Sequence, residues 1–347
     1  MILFFRFNIS IFFGSGHLFR VLNLYNSEFF KDCQKLLLVN SDSTVFPKFS
    51  NILDDYNYKL IGGLKKNLTL ENSIADMDLE LDILEKYIRK NQTSSKPKII
   101  VDIKDTSVDY ILRLKELGLI VIDFEDLGAG RDYVDLLIDA NIHHFQEISE
   151  NSNKLFGSDY VCLAPIFRDI NQLEKKINNE IKDILIFFGG SDPSDIANFL
   201  LANIESCNFP SNARITIISN KITTSKKNQN INLKILDVNL TAKQMAELYY
   251  NSDICIISGG ISMYESLVCG CPAIIINQNS EQHRNVSFFN DYIVNLGIFD
   301  KTKIIIELNK ALEKLKAIDL RQRLSIAAKK KIDGLGINRI AKRILTL

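Results

Sequence analysis

Short apolar runs rich in β-branched residues recur along the chain, parted by segments in which apolar residues return every three or four positions, and this alternation predicts strands separated by helices. In the first half the pattern predicts strands over 2–10, 36–40, 98–103, 119–124 and 135–141, with helices over 17–29, 73–90 and 106–117. The second of these helices is marked by Ile74, Met77, Leu79, Leu81, Ile83, Leu84 and Ile88. A polar stretch rich in Lys and Asn, 168–182, then breaks the rhythm. Beyond it the pattern predicts strands over 183–188, 215–219, 233–236, 254–258 and 273–277, and helices over 242–251, 262–269 and 282–295. Pro193 is placed to open a helix after the strand at 183–188, and helical stretches follow Lys301.

Strands alternating with helices imply parallel sheets joined by right-handed crossovers. A chain of 347 residues exceeds what one core usually supports. The expected architecture is therefore α/β: a Rossmann-like domain over 1–167, a linker over 168–182 and a second Rossmann-like domain over 183–347, whose final helices are free to pack back on the first. Two doubly wound domains facing each other would place the C-terminal ends of both sheets on a cleft between them, where open α/β sheets bind ligands.

Composition narrows the chemistry. Lys+Arg and Asp+Glu balance at 42 each, which leaves no basic field for nucleic acid. No run approaches the length of a membrane-spanning helix, and the apolar first 13 residues, interrupted by Arg6 and Asn8, lack a charged start and a cleavage site. Together with six cysteines in mostly apolar surroundings, without zinc or disulfide spacing, this predicts a cytoplasmic protein with reduced thiols. The sequence carries no signal of oligomeric state. Cys269 and Cys271 lack a partnering Cys or His pair, and His143 and His144, read as neighbours on a strand, would point to opposite faces, so no metal is expected. The matches at Asn67-Leu68-Thr69 and Asn91-Gln92-Thr93 to the glycosylation pattern carry no weight without a secretory signal.

The candidate chemistry lies in the loops after strands. Gly14-Ser15-Gly16-His17 sits between the first strand and the first helix, where glycines admit a ligand to the backbone and the helix N-terminus favours an anion. A dinucleotide fingerprint would need glycine where Phe19 stands and an acidic residue where the second strand ends in Asn40, so a nicotinamide cofactor is not expected. His17 is the group there that changes charge near neutral pH. Its alternative is a helix-capping or packing role. In the second half, Gly189-Gly190-Ser191-Asp192 and Ser258-Gly259-Gly260-Ile261-Ser262 each follow an apolar strand, and small residues, hydroxyls and a helix dipole suit such loops to a diphosphate. Glu265, one turn into the following helix, can accept both hydroxyls of a ribose; the alternative is an exposed helix glutamate. Glu281 and Gln282 follow the strand at 273–277.

These segments, with Arg20, Phe188 to Pro193 and the strands around Asp123 and Asp135, resemble in order the UDP-sugar hydrolase of pseudaminic acid biosynthesis, and the spore coat polysaccharide glycosyltransferase-like branch of the GT-B superfamily. The resemblance implies a GT-B fold, a UDP-sugar substrate, His17 as catalytic base, and a second domain holding the uracil nucleotide with Glu265 on its ribose. Release of a free 2,4-diacetamido-2,4,6-trideoxyhexose is the activity it implies. The chain departs where that hydrolase has a VDHYGL-like motif, reading Val101-Asp102-Ile103-Lys104-Asp105-Thr106. It departs again at Leu163-Ala164-Pro165-Ile166-Phe167, in place of LRPEF. Because UDP is already a good leaving group, a base that activates water opposite it suffices for inverting hydrolysis without a cofactor. No paired-carboxylate site for Mg²⁺ is evident in the cleft loops. An inverting glycosyltransferase and a noncatalytic nucleotide-sugar binding protein are the alternatives, and Phe46, Phe49, Lys65 and Lys66 hint at the membrane-facing patch that some transferases of this fold carry.

Overall fold

The computed structural model describes residues 1–10, 16–68, 76–91, 93–147, 153–222 and 232–347. Gly14 and Ser15, and the first three positions of the helix expected over 73–90, lie outside the described residues. The chain forms two compact units, one of residues 1–162 with 335–347 and one of residues 163–334.

The first unit runs β1 (Ile2–Ile9), α1 (Gly16–Tyr25), β2 (Gln34–Ser41), α2 (Phe46–Leu53), β3 (Tyr58–Leu60), α3 (Met77–Lys90), β4 (Lys98–Asp102), α4 (Val108–Glu116), β5 (Ile120–Phe124), β6 (Leu136–Asp139) and β7 (Lys154–Phe156). These strands form a parallel sheet in the order β3-β2-β1-β4-β5-β6-β7. Every residue of β1 is buried, because both faces of a parallel sheet are covered by helices. Its odd positions Leu3, Phe5, Phe7 and Ile9 pack with Leu18, Val21 and Leu22 of α1, and Ile2 and Phe4 pack with Leu84 of α3 and Ile111 and Leu114 of α4. Arg6, also inward, is neutralised by the buried Glu80 of α3 at 3.0 Å, and Glu80 accepts a second bond from Tyr110 at 2.7 Å.

The second unit runs α5 (Pro165–Asn171), β8 (Asp183–Phe187), α6 (Ile196–Ala202), β9 (Arg214–Ile218), β10 (Asn232–Leu236), α7 (Ala242–Asn251), β11 (Ile254–Ile257), α8 (Ile261–Val268), β12 (Ala273–Asn277), α9 (Ser280–Val286), β13 (Val294–Ile298), α10 (Ile304–Leu315) and α11 (Ile318–Lys331). Its parallel sheet has the order β10-β9-β8-β11-β12-β13. The helix α12 (Gly336–Leu345) closes the chain and buries Ile337, Ile340 and Ile344 in the core of the first unit. Within the stretch read as a linker, Asn171 donates to the carbonyls of Val268, Lys329 and Ile332, and Lys175 donates to those of Tyr249, Tyr250 and Ser252, all in the second unit.

In both sheets the first strand of the series has the second strand on one side and the fourth on the other, so the chain reverses its direction of winding between β1 and β4, and again between β8 and β11. Loops leaving these pairs diverge to opposite faces and open a crevice at the carboxyl edge, the place where doubly wound sheets bind ligands.

Candidate active site

The first crevice holds a cluster of charged side chains. His17, at the first turn of α1, is buried, and its Nδ1 lies 2.5 Å from Oδ1 of Asp102, the last residue of β4. One turn further along α1, Arg20 donates from Nε and Nη2 to the same carboxylate at 2.8 and 2.6 Å. Its Nη1 reaches Oε2 of Glu125, just past β5, at 2.5 Å, while its guanidinium stacks 5.5 Å from the Phe124 ring centre. Burial alone would raise the Asp102 pKa, yet Arg20 and His17 outweigh it and hold this carboxyl far below the usual range. The same contest, decided by Arg20, lowers Glu125. Burial works against the Arg20 charge, but the two carboxylates overcome it.

Glu125 occupies the left-handed region with φ 50°, a strained choice for a side-chain-bearing residue. The loop beyond it is pinned by Asp126, whose carboxylate accepts from the Thr106 amide at 3.0 Å, the Gly128 amide at 2.8 Å and the Thr106 hydroxyl. Burial, reinforced by neighbouring Asp126, pushes the Asp123 carboxyl well up. A carboxylate accepting the Nδ1 proton of an imidazole fixes its tautomer and leaves the lone pair on Nε2, the form a general base requires.

In the second crevice the two glycine loops differ. Gly259 is squeezed: an added Cβ would stand 2.2 Å from Asn277 Oδ1 and 2.4 Å from Val286 Cγ2. Gly260 is the N-cap of α8 and, having no side chain, makes no cap hydrogen bond to the first amides of that helix. Ser258 and Ser262 are buried beside it. Glu265 lies one turn along, with its carboxyl pushed up to about 8 by burial, an effect that the adjoining Tyr249 phenol partly opposes. Gln282 joins this loop, its Oε1 accepting from the Gln278 amide at 2.9 Å and its Nε2 3.7 Å from where a Gly260 Cβ would be. Gln278 in turn donates to the Phe188 carbonyl at 2.6 Å, which ties the loop after β12 to the one after β8.

Gly189, at φ +84°, and Gly190 would meet nothing if given a Cβ, and Ser191 is exposed. Asp192 and Pro193 require correction. The helix begins at Ile196, not at Pro193, and the Asp192 carboxylate accepts from the Ile196 and Ala197 amides at 3.1 and 2.9 Å. Those amides already have an anion, so Asp192 serves the helix, and this N-terminus is not open to a phosphate. Glu281 lies on the exposed side of α9 in an ion pair with Arg284.

Two further readings change. His143 and His144 belong to a 3₁₀ turn spanning Ile142–Glu147, not to a strand, and their rings stand side by side with centres 4.0 Å apart. Phe46 and Phe49 pack partly against the core of the first unit, and Lys65 pairs with Asp76, which leaves less of the patch suggested by those residues. Among the described residues no helix is long and apolar enough to cross a membrane.

Sequence reasoning missed Asp102 and Glu125 as site residues. Asp102 ends the buried apolar strand β4 and Glu125 follows β5, whereas His17 and Arg20 lie on α1 after β1, so only tertiary pairing brings them together, as the 85-residue separation of His17 and Asp102 shows.

Residues 184–344 match the glycosyltransferase family 28 C-terminal domain. An uncharacterized protein of Methanocaldococcus jannaschii is 27% identical over 308 residues, which cover 82% of this chain and 56% of that protein, so the chain spans little more than half the length of this relative. The spore coat polysaccharide biosynthesis protein SpsG of Bacillus subtilis is 22% identical over 278 residues, covering 75% of this chain and 80% of its own. Among solved structures, UGT2 of Phytolacca americana, complexed with UDP-2-fluoro-glucose and pterostilbene, superposes with a TM-score of 0.67 at 10% identity, over 99% of this chain and 98% of that one. The fold is that of the GT-B glycosyltransferases. The resemblance seen in the sequence therefore holds for the fold and for a glycosyltransferase-like C-terminal half.

Proposed function

We propose that this protein cleaves a UDP-sugar at the anomeric carbon, with His17 as general base and water as the acceptor, releasing UDP and a free amino-deoxy sugar of the 2,4-diacetamido-2,4,6-trideoxyhexose type. The observation that carries the reading is the Asp102–His17 pair, 2.5 Å apart at the point where the first sheet reverses its winding. Asp102 holds the ring and stabilises the imidazolium formed when Nε2 takes the water proton. Arg20, itself anchored by Glu125, keeps Asp102 ionised and in place, and so acts through it. Nucleotide recognition falls to the second unit. The amides at the glycine-capped start of α8 suit a phosphate, and Glu265 suits the ribose hydroxyls. Gln282 supports the loop between them. The structure of UGT2 with UDP-2-fluoro-glucose supports a UDP-sugar as the ligand class, and similarity to SpsG supports a role in making cell-surface glycans.

UDP departs with its charge met by backbone amides, which removes the need for a strong general acid. Attack on the face opposite the leaving group inverts the anomeric centre. The match to glycosyltransferase family 28 favours a second reading, in which a sugar or lipid hydroxyl replaces water while the same base acts. The experiment that separates them is UDP release from a UDP-linked diacetamido-trideoxyhexose by purified protein with no acceptor added. Turnover supports the hydrolase, turnover only with an acceptor supports the transferase, and binding without turnover contradicts both.

A further inference from the structure

Two adjacent tyrosines near the end of α7 differ in how their hydroxyls are satisfied. Tyr250 is half-buried, and its hydroxyl donates to the Glu174 carbonyl at 2.8 Å. Tyr249 is fully buried where α7 packs against α8. Its hydroxyl lies beside the Glu265 carboxyl and Ser262, both on α8, yet among the described residues it makes no hydrogen bond of ordinary geometry. Buried hydroxyls nearly always have a partner, so one left over beside a carboxyl is a donor with an unfilled task. Burial, reinforced by Glu265, pushes this phenol well up, which keeps its proton available for donation. The Cys255 and Cys269 thiols near it are also pushed up by burial, so Glu265 is the charged acceptor that it faces.

We propose that Tyr249 is a positioning residue for nucleotide binding: its hydroxyl donates to Glu265 from the α7 side and turns the carboxylate toward the ribose hydroxyls. The proposal rests on the reading that Glu265 takes those hydroxyls. An ionised carboxylate offers about four acceptor sites, enough for the phenol and both ribose hydroxyls at once. Burial disfavours that ionised form of Glu265, and Tyr249 opposes the effect, so the phenol favours the state that binds ribose. Glu265 itself is half-buried, which leaves it a side open to the ligand.

The test is calorimetry with UDP and with dideoxy-UDP, which lacks both ribose hydroxyls, on wild type, Tyr249→Phe, Glu265→Ala, Glu265→Gln and the double variant Tyr249→Phe/Glu265→Gln. Tyr249→Phe removes one oxygen and keeps the ring, so the core should stay packed and thermal stability should not fall. It should weaken UDP binding by about tenfold or more, as expected for a lost hydrogen bond to a charged group, and leave dideoxy-UDP affinity unchanged. In the Glu265→Gln background the same change should no longer alter the preference for UDP over dideoxy-UDP. A Tyr249→Phe protein that keeps the wild-type preference while Glu265→Ala weakens UDP binding would overturn the proposal and leave the ribose reading standing. Equal loss of both ligands would overturn it too, by showing a purely structural role. Unchanged UDP affinity in Glu265→Ala would remove the ribose reading and this proposal with it.

Discussion

Replacing Asp102 by asparagine tests the pairing on which the proposed chemistry depends. Three donors converge on its two oxygens: His17 Nδ1 at 2.5 Å, Arg20 Nε at 2.8 Å and Arg20 Nη2 at 2.6 Å. An amide offers one acceptor and turns an N–H toward the remaining donors. Arg20, charged and only 17% exposed, holds the amide oxygen, and its second bond to Glu125 survives. The amide N–H then faces His17 and draws the lone pair to Nδ1, placing the proton on Nε2, where it blocks base catalysis. Turnover should fall by about 10² to 10⁴. Folding stability should fall by about 3 kcal/mol, the low end for breaking a buried ion pair, because Glu125 still neutralises Arg20. Titration adds an independent signature. Asp102 is depressed in the folded state, so its contribution is complete above the unfolded carboxylate value near 4 and is lost as pH falls below it. The variant should therefore lose less stability than wild type on acidification. The assay is UDP release, with UDP affinity measured by calorimetry as the control for an intact second unit. A folded Asp102→Asn protein turning over at the wild-type rate would refute the reasoning.

Other substitutions separate structural from binding roles in the second unit. Glu265→Ala should weaken UDP binding by about 1 to 3 kcal/mol, the cost of removing a hydrogen-bonding partner, and unchanged affinity would place the ribose elsewhere. Because burial raises Glu265 to about 8, its part in stability is present below the unfolded glutamate value and is lost as pH rises toward 8; Glu265→Gln should flatten that slope in thermal melts of the unliganded protein. Asp192→Ala should cost about 0.5 to 2 kcal/mol of stability through the lost cap on α6 while leaving UDP affinity alone, and a large loss of affinity would restore a binding role to that residue. Gly259→Ala should destabilise by about 1 to 3 kcal/mol, since the new methyl meets Asn277 and Val286 closer than atoms can approach; a neutral result in urea unfolding would contradict the close packing.

The long buried elements were legible because burial on both faces writes itself into sequence as an unbroken apolar run. The strand expected over 183–188 is β8 (Asp183–Phe187), and the helix expected over 242–251 is α7 (Ala242–Asn251). Short, half-exposed pieces were not. The edge strands β3 and β7 have three residues each, too few for a period to register. The helix expected over 282–295 merges three elements: α9 ends at Val286, a 3₁₀ turn covers Ser287–Phe289, and β13 starts at Val294. Phe288, Phe289, Tyr292 and Ile293 continue a helix-like spacing through the change. Of the candidate residues, His17, Gly260 and Glu265 were legible as residues with chemistry in or just beyond the loops that follow strands. Their partners were set by tertiary pairing: Asp102 meets His17 only because β4 lies beside β1, and the hold of Asp192 on the Ile196 and Ala197 amides was not legible because a carboxylate in a Gly-Ser loop looks the same in sequence whether it binds a ligand or caps its own helix.

The most direct test of the central claim is the rate of acceptor-free UDP release by His17→Ala beside wild type, with UDP affinity measured on both. Loss of general-base help is felt in the transition state, so the account predicts kcat lower by about 10² to 10⁴ with UDP affinity retained. A His17→Ala protein that releases UDP at the wild-type rate would contradict it and move the search for the base to His283.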